Sequence, residues 1–313
     1  MRKWTDQLAE ELHKPARRKF PQRRVISSGI DNIWSADLVD MQAFSRQNKG
    51  NKYLLNVIDV FSKYAWSVPI KKKTGVDMVK AFQTILEGGR KPGFIWVDQG
   101  SEFINRTFRG FLKDNQIELY HTYNAGKAVI IERFNRTLKS YMWKYFTANN
   151  TNKYLDVLPD MIHKYNNKIH NSIGMKPVQA SEAKNAQEVY LALYENEPVK
   201  KANPQLKVND LVRISKKKKI FEKGYTANWT EEVFKISAIQ NTNPVTYKLK
   251  DLNGDLLQGS FYSQELQKTE QDTFRIEKVI KKDYKNKKAF VKWKGYSNNF
   301  NSWINLKDIQ KLK

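Results

Sequence analysis

The sequence predicts an α/β protein: a mixed five-stranded sheet packed by helices, followed by two small β units. Three observations carry this. Three strand-like runs joined by short polar turns come first, strand and helix patterns then alternate, and from about residue 200 the pattern breaks into short strands punctuated by turn residues. A chain of 313 residues with 40% hydrophobic content can bury such a core, and its length suits one large domain plus one or two small ones.

The elements follow in order. Residues 1–30 hold a short amphipathic helix candidate and then the basic segment KPARRKFPQRR, whose prolines and charges predict an extended basic arm. NIWSADLVDM, KYLLNVIDVFS and YAWSVPI are rich in β-branched and aromatic residues and read as an antiparallel meander. TGVDMVKAFQTILEGG has a Thr74 cap, apolar Val79, Phe82 and Leu86 at helical spacing, and a Gly-Gly stop, so it is predicted to be a helix. GFIWVD returns as a strand, NRTFRGFLKDN as a helix, IELYHTY as a strand and KAVIIERFNRTLKSYMWKYFTAN as a long helix. A further helical stretch, roughly 154–170, closes a unit expected to span 31–195. A meander followed by alternating helices and strands is the order expected of an RNase H-like fold. The short strands of 200–268, with an Asn253-Gly254 turn, predict a small SH3-like barrel, and residues 272–313 hold three more strands.

Lysine and arginine outnumber aspartate and glutamate by 56 to 32. The resulting pI near 9.8 points to a polyanionic partner, nucleic acid or an anionic membrane. No apolar stretch reaches the roughly 18 to 20 residues that span a bilayer, and the N-terminus lacks a signal-peptide h-region, so a soluble intracellular protein is expected. With no cysteine and four histidines, disulfides, cysteine nucleophiles and zinc fingers are excluded. Any metal site must be built mainly from carboxylates, which select hard cations such as Mg²⁺ or Mn²⁺.

The stretch WVDQGSEF (Trp96–Phe103) ends a buried strand on an aspartate followed by a glycine two residues on. Asp37 lies mid-strand, where an acid facing the packed side of a sheet is costly unless paired or metal-bound. Asp98 ends the fourth strand and Glu132 lies on the long helix. In the drafted fold the first and fourth strands are neighbours and the long helix crosses beside them, so the three carboxylates can converge on divalent cations that relieve their repulsion. The plainer alternative makes Asp98 an ordinary turn residue. Asp40 falls on the opposite face from Asp37, Asp59 is the main competing acid, and Glu102 suits the start of the next helix. On the long helix Glu132, Asn135, Arg136 and Lys139 share one face, either a solvated polar face or one that meets metal and DNA phosphates. In the barrel, Lys216, Lys217, Lys218 and Lys219 beside Phe221, Tyr225 and Trp229 suit a DNA backbone, the alternative being a solvated lysine loop.

WSADLVDM, VIDVFSKYAW, WVDQGSEF and AVIIERFNRTLKS, in this order, resemble the catalytic core of retroviral-type (rve) integrases, most closely those of Maverick/Polinton self-synthesising transposons, with coverage from about residue 10 to the C-terminus. The resemblance implies a DDE-type polynucleotidyl transferase of nuclear location, performing 3′-end processing and strand transfer. It maps the acidic triad onto Asp37, Asp98 and Glu132, holding two Mg²⁺ (or Mn²⁺) ions without zinc, and makes Asn135 and Lys139 contacts to transposon-end DNA. Double-stranded element ends and target DNA, and a homo-multimer, are the implied partners. The spacing from Asp98 to Glu132 is two residues shorter than the retroviral pattern, the difference falling in the loop YNAGKA, and the retroviral zinc-binding His/Cys domain has no counterpart here. YNNKIHNSIGMKP also resembles a segment after the core, with His170 expected to be structural.

The last unit resembles a chromodomain through FRIEKVI and VKWKGYSNNFNSW, whose Phe274, Trp293 and Tyr296 match cage positions for methylated lysine of a histone tail. Asn298 and Asn299 replace acids common there, there is almost no room for a final helix, and Trp303 is expected in the core. A structural or DNA-contacting role is the alternative. Three rival functions stand beside the integrase: a domesticated, inactive chromatin-binding protein, a chromodomain retrotransposon integrase, and a plain nuclease.

Overall fold

A computed structural model describes residues 2–17, 20–21, 23, 25–98, 100–121, 129–195, 203–216, 223, 225–270 and 274–309. They form two compact units, Arg24–Pro198, and Met1–Arg23 together with Val199–Lys313.

The opening helix α1 (Arg2–His13) belongs to the second unit. The first begins with the meander β1 (Ile33–Asp40), β2 (Tyr53–Asp59) and β3 (Ala65–Ile70). Then follow α2 (Gly75–Leu86), β4 (Phe94–Val97), α3 (Ser101–Ile104), α4 (Arg106–Asp114) and β5 (Glu118–His121), with β4 parallel to both β1 and β5. The strand order β3-β2-β1-β4-β5 is the predicted mixed five-stranded sheet. The long helix α5 (Val129–Asn149), α6 (Leu158–Asn166), α7 (Pro177–Ala180) and α8 (Ala186–Tyr194) complete the unit. Local signals hold: the Thr74 hydroxyl accepts the Asp77 N–H at 3.2 Å to start α2, and Gly89, with φ +83°, ends the segment after it.

Strand alternation divides the core in two. Trp34, Ala36, Leu55 and Val57 face α2 and α4, whereas Val39, Leu54 and Ile58 face α5 and α6. Residues two apart share a face, so Asp37 and Asn56 fall on the α5 side, directly opposite each other in the β1–β2 register. Asn166 of α6 ties the edge of the sheet down: its amide oxygen accepts the Ala65 N–H and its nitrogen donates to the Ala65 carbonyl, each at 2.9 Å.

In the second unit, β6 (Leu211–Ile214), β7 (Phe234–Gln240), β8 (Thr246–Lys250), β9 (Phe261–Tyr262) and β10 (Leu266–Lys268) make an antiparallel sheet of order β10-β6-β7-β8-β9. The Asn253-Gly254 turn follows β8, with Gly254 at φ +100°. A separate sheet orders β11 (Ile276–Asp283), β12 (Lys288–Trp293) and β13 (Ser302–Asn305), antiparallel throughout, with no α-helix after it among the described residues.

The N-terminal segment is not the wholly free arm its charge suggests. The Leu12 carbonyl accepts the N–H groups of Asn228 and Trp229 at 2.9 and 3.2 Å, and the Trp229 indole donates to the Lys14 carbonyl at 2.9 Å. These donors satisfy carbonyls that a helix C-terminus otherwise leaves to water. Beside them Glu11 pairs at 3.5 Å with Arg213, which is fully buried and also donates to the carbonyls of Thr230 and Glu231.

Candidate active site and candidate nucleic-acid surfaces

Asp37 sits in β1 with both carboxylate oxygens engaged. Oδ1 accepts the Leu38 N–H at 2.9 Å and Oδ2 accepts the Asn135 amide at 2.6 Å. Burial pushes its pKa above the usual carboxylate value, the two hydrogen bonds oppose that, and the charges of Asp98 and Glu132 push it further up. Asp98 at the end of β4 and Glu132 in the first turn of α5 are therefore both within electrostatic range of Asp37 in β1.

They do not, as built, make a ligand set. Among the described residues no group of three or more His, Asp or Glu side chains is placed to hold a metal ion. Asp98 is exposed, and its Oδ1 accepts the Gly100 N–H at 3.0 Å. The expected convergence is thus met in part among the described residues. The shortened loop 123–128 that leads into α5 lies outside the described residues. The donor chemistry still suits a hard cation, being oxygen-only and carboxylate-rich, with charge accumulated around Asp37.

Gly100 shows why the strand ends as it does. A Cβ built there would stand 2.6 Å from Glu102 Oε1 and 3.0 Å from Asp98 Oδ1. Glu102 does start α3, as predicted, but its carboxylate also folds back over Gly100 beside Asp98. Sequence reasoning weighed Glu102 only as a helix start; the Asp-x-Gly-x-Glu spacing was the signal that it also lies beside Asp98.

Asn135 is a correction. Expected to contact DNA, it is only 8% exposed, and its amide oxygen accepts from Asn56 at 2.7 Å while its nitrogen donates to Asp37. Asn56, fully buried, in turn accepts the Ser67 hydroxyl at 2.6 Å. Hydrogen bonds thus run in one direction, Ser67 to Asn56 to Asn135 to Asp37, across β3, β2, α5 and β1. The helical spacing of Asn135 from Glu132 was legible, but its inward rotation was not. Arg136 and Lys139 are exposed on α5, free in direction to meet a phosphate.

The competing acids separate cleanly. Asp40 is exposed and caps Gln42 N–H at 2.9 Å. Asp59 is fully buried, accepting the Ser62 hydroxyl at 2.6 Å and Arg90 Nη2 at 2.9 Å. Arg90 also forks onto Asp31 and lies 5.0 Å from the ring centroids of both Tyr64 and Trp66. Asp59 is a structural ion pair that closes the β2–β3 turn, out of reach of a substrate. His170 is structural too: it accepts the Ser172 N–H on Nδ1, and burial, with the charges of Lys63 and Arg133, lowers its pKa to about 4. Lys63 is itself buried, donates to the Val60 carbonyl and has its pKa lowered to about 8 by that burial.

In the second unit Lys216 is exposed, whereas Lys217, Lys218, Lys219 and Phe221 lie outside the described residues. Tyr225 is exposed, with the Lys223 ammonium 5.7 Å from its ring, but Trp229 is buried and committed to Lys14. Phe274 does meet Trp293 and Tyr296, each at 5.8 Å and edge-on. Tyr296 is 7% exposed, and its hydroxyl accepts the Val233 N–H at 3.1 Å. Trp303, expected in the core, is 46% exposed.

Residues 29–125 match the family described as Integrase core domain. A transposon-derived protein of Caenorhabditis elegans is 33% identical over 195 residues, 62% of this chain and 65% of its own length. The retrovirus-related Pol polyprotein from transposon 297 of Drosophila melanogaster is 23% identical over 129 residues, 41% of this chain and 12% of its own. The chain thus spans somewhat less than two thirds of the worm relative and a small part of the polyprotein. A chain in the cryo-EM structure of the simian T-cell lymphotropic virus intasome in complex with PP2A regulatory subunit B56 gamma superposes with a TM-score of 0.60 at 14% identity, covering 84% of this chain and 87% of that one. The core is therefore integrase-like in sequence and fold, with relatives among transposon and retroviral Pol proteins.

Proposed function

We propose that this protein is a DNA integrase of a transposable element of Maverick/Polinton type, acting as a DDE-type polynucleotidyl transferase. One observation carries the reading: inside an integrase core, Asp37 is locked by Asn135 within the field of Asp98 and Glu132. Asp37, Asp98 and Glu132 would hold two Mg²⁺ (or Mn²⁺) ions, which when bound activate an attacking oxygen and stabilise a leaving one. In processing, water attacks a phosphodiester near the element's end, the P–O3′ bond breaks, and a 3′-hydroxyl is freed. In strand transfer that hydroxyl attacks a target phosphodiester and a target 3′-hydroxyl leaves. The protein's own groups position: Asn135 orients the Asp37 carboxylate, Gly100 leaves room for the Glu102 carboxylate to fold in beside Asp98, and Arg136 and Lys139 balance phosphate charge. Holding two DNA ends calls for more than one copy of the chain.

The domesticated, inactive alternative is favoured by one observation, the absence of a ready ligand set among the described residues. A strand-transfer assay decides between them, using the full chain, a labelled duplex carrying cognate ends with a recessed 3′ terminus, supercoiled plasmid, and Mg²⁺ or EDTA. Joined products that vanish with EDTA and in Asp98→Asn support the integrase. Joining that survives in Asp98→Asn sinks it, and DNA binding without joining supports the domesticated reading.

A further inference from the structure

We propose that the outer face of the C-terminal three-stranded sheet is a second docking surface for double-stranded DNA, separate from the acidic site. Register places its members. In β12, Ala289 and Val291 are completely buried, so that side of the sheet is the core side. Phe290 and its neighbours at two-residue spacing, Lys288 and Lys292, point to the other. Cross-strand pairing adds Lys281 and Trp303 opposite Phe290, and Lys278 opposite Lys292.

This face has properties that an ordinary solvated sheet lacks. Trp303 is 46% exposed and packs on Phe290 at 5.4 Å, an aromatic pair that the module's core does not need. Lysines surround it, and Lys278 and Lys292 stand directly opposite each other, an arrangement that destabilises a sheet unless an anion relieves it. Glu277 offsets one of them, pairing with Lys292 at 2.5 Å, and leaves Lys278, Lys281 and Lys288 exposed. An apolar aromatic pair inside a field of cations fits a polyanion whose sugars present apolar edges between its phosphates, which is the outer surface of duplex DNA. The surface shares with the proposed function only the choice of DNA as partner. It needs no catalysis.

The test measures fluorescence anisotropy of a labelled 30-base-pair duplex titrated with the full chain at several salt concentrations. Lys281→Glu and Lys282→Glu change net charge equally, but Lys282 pairs with the buried Ala289 and so belongs to the other face. We expect Lys281→Glu to weaken binding about tenfold and to flatten the salt dependence, with Lys282→Glu close to wild type. Trp303→Ala is expected to weaken binding about fivefold or more with the salt dependence unchanged, since an apolar contact to sugar edges is not ionic. Equal losses in the two lysine variants would mean net charge alone and overturn the proposal. So would unchanged duplex binding in Trp303→Ala and Lys281→Glu when the same variants lose affinity for phosphatidylserine vesicles. Thermal melts matched to wild type confirm that each variant is folded. A chain that binds DNA through this face yet joins no ends keeps this surface and loses the integrase; one that joins ends with unaltered affinity in these variants does the reverse.

Discussion

The Asn135 amide donates to Asp37 Oδ2 at 2.6 Å across 98 residues of chain, and it is held in that orientation by Asn56, whose own nitrogen occupies the Asn135 oxygen. An amide can present either end to a partner, so a donor on its oxygen decides which end reaches the carboxylate. Ser67 does the same for Asn56.

Asn56→Leu removes that orienting donor and keeps the forked outline of the side chain, although the bulkier leucine also crowds a fully buried place. It leaves the buried Asn135 oxygen unpaired, at a cost of about 1–3 kcal/mol when no water reaches it, and takes the acceptor from the half-buried Ser67 hydroxyl. Half-saturating Mg²⁺ in strand transfer is expected to rise about tenfold to a hundredfold, the usual effect of losing an outer partner of a ligand. An unchanged Mg²⁺ dependence, with only stability lost, would make the relay purely structural.

Asp37→Asn is expected to end catalysis and to remove the pH dependence of stability that Asp37 carries. The native pKa of Asp37 is raised, so the folded state disfavours its ionised form, and its contribution to stability is present below the ordinary carboxylate pKa and lost as pH rises through the raised one. Between pH 3 and pH 7 the variant's melting temperature should fall less, or rise more, than that of wild type.

Arg90→Met strands a fully buried carboxylate. Asp59 loses its cation, and Asp31 loses a forked partner. Removing one member of a buried pair costs about 3–5 kcal/mol. Urea unfolding should show a loss of that order, and Arg90→Met with Asp59→Asn should recover part of it.

His170 should resist protonation. Its pKa of about 4 lies below the unfolded value, so the unfolded chain binds the extra proton first and stability falls as pH drops from about 6.5 towards 4. His170→Gln should flatten that part of the stability curve, and the imidazole resonances should titrate near pH 4.

The sequence carried the elements whose causes are local. The Thr74 cap, the glycine turns at Gly89 and Gly254, and the alternation of β1 and β2 each depend on residues within a few positions, and each is found where the pattern put it. The triad residues were legible for the same reason, as a strand interior, a strand end and a helix start. Asn135 was misjudged because helical spacing gives relative positions around the axis but not which side turns inward. That side is chosen by Ile131, Phe134 and Leu138 meeting the sheet.

By itself the sequence determined the order of strands and helices, the hard-donor character of any metal site and a basic surface suited to a polyanion. Only tertiary structure decided which acids share a space, that Asp59 is sealed by Arg90, that α1 is clasped by Asn228 and Trp229, and that Trp303 faces outward among lysines. The division has one cause. Periodicity and capping are set by neighbours along the chain, whereas these contacts join residues brought together by strand register and helix rotation, which depend on how whole elements pack.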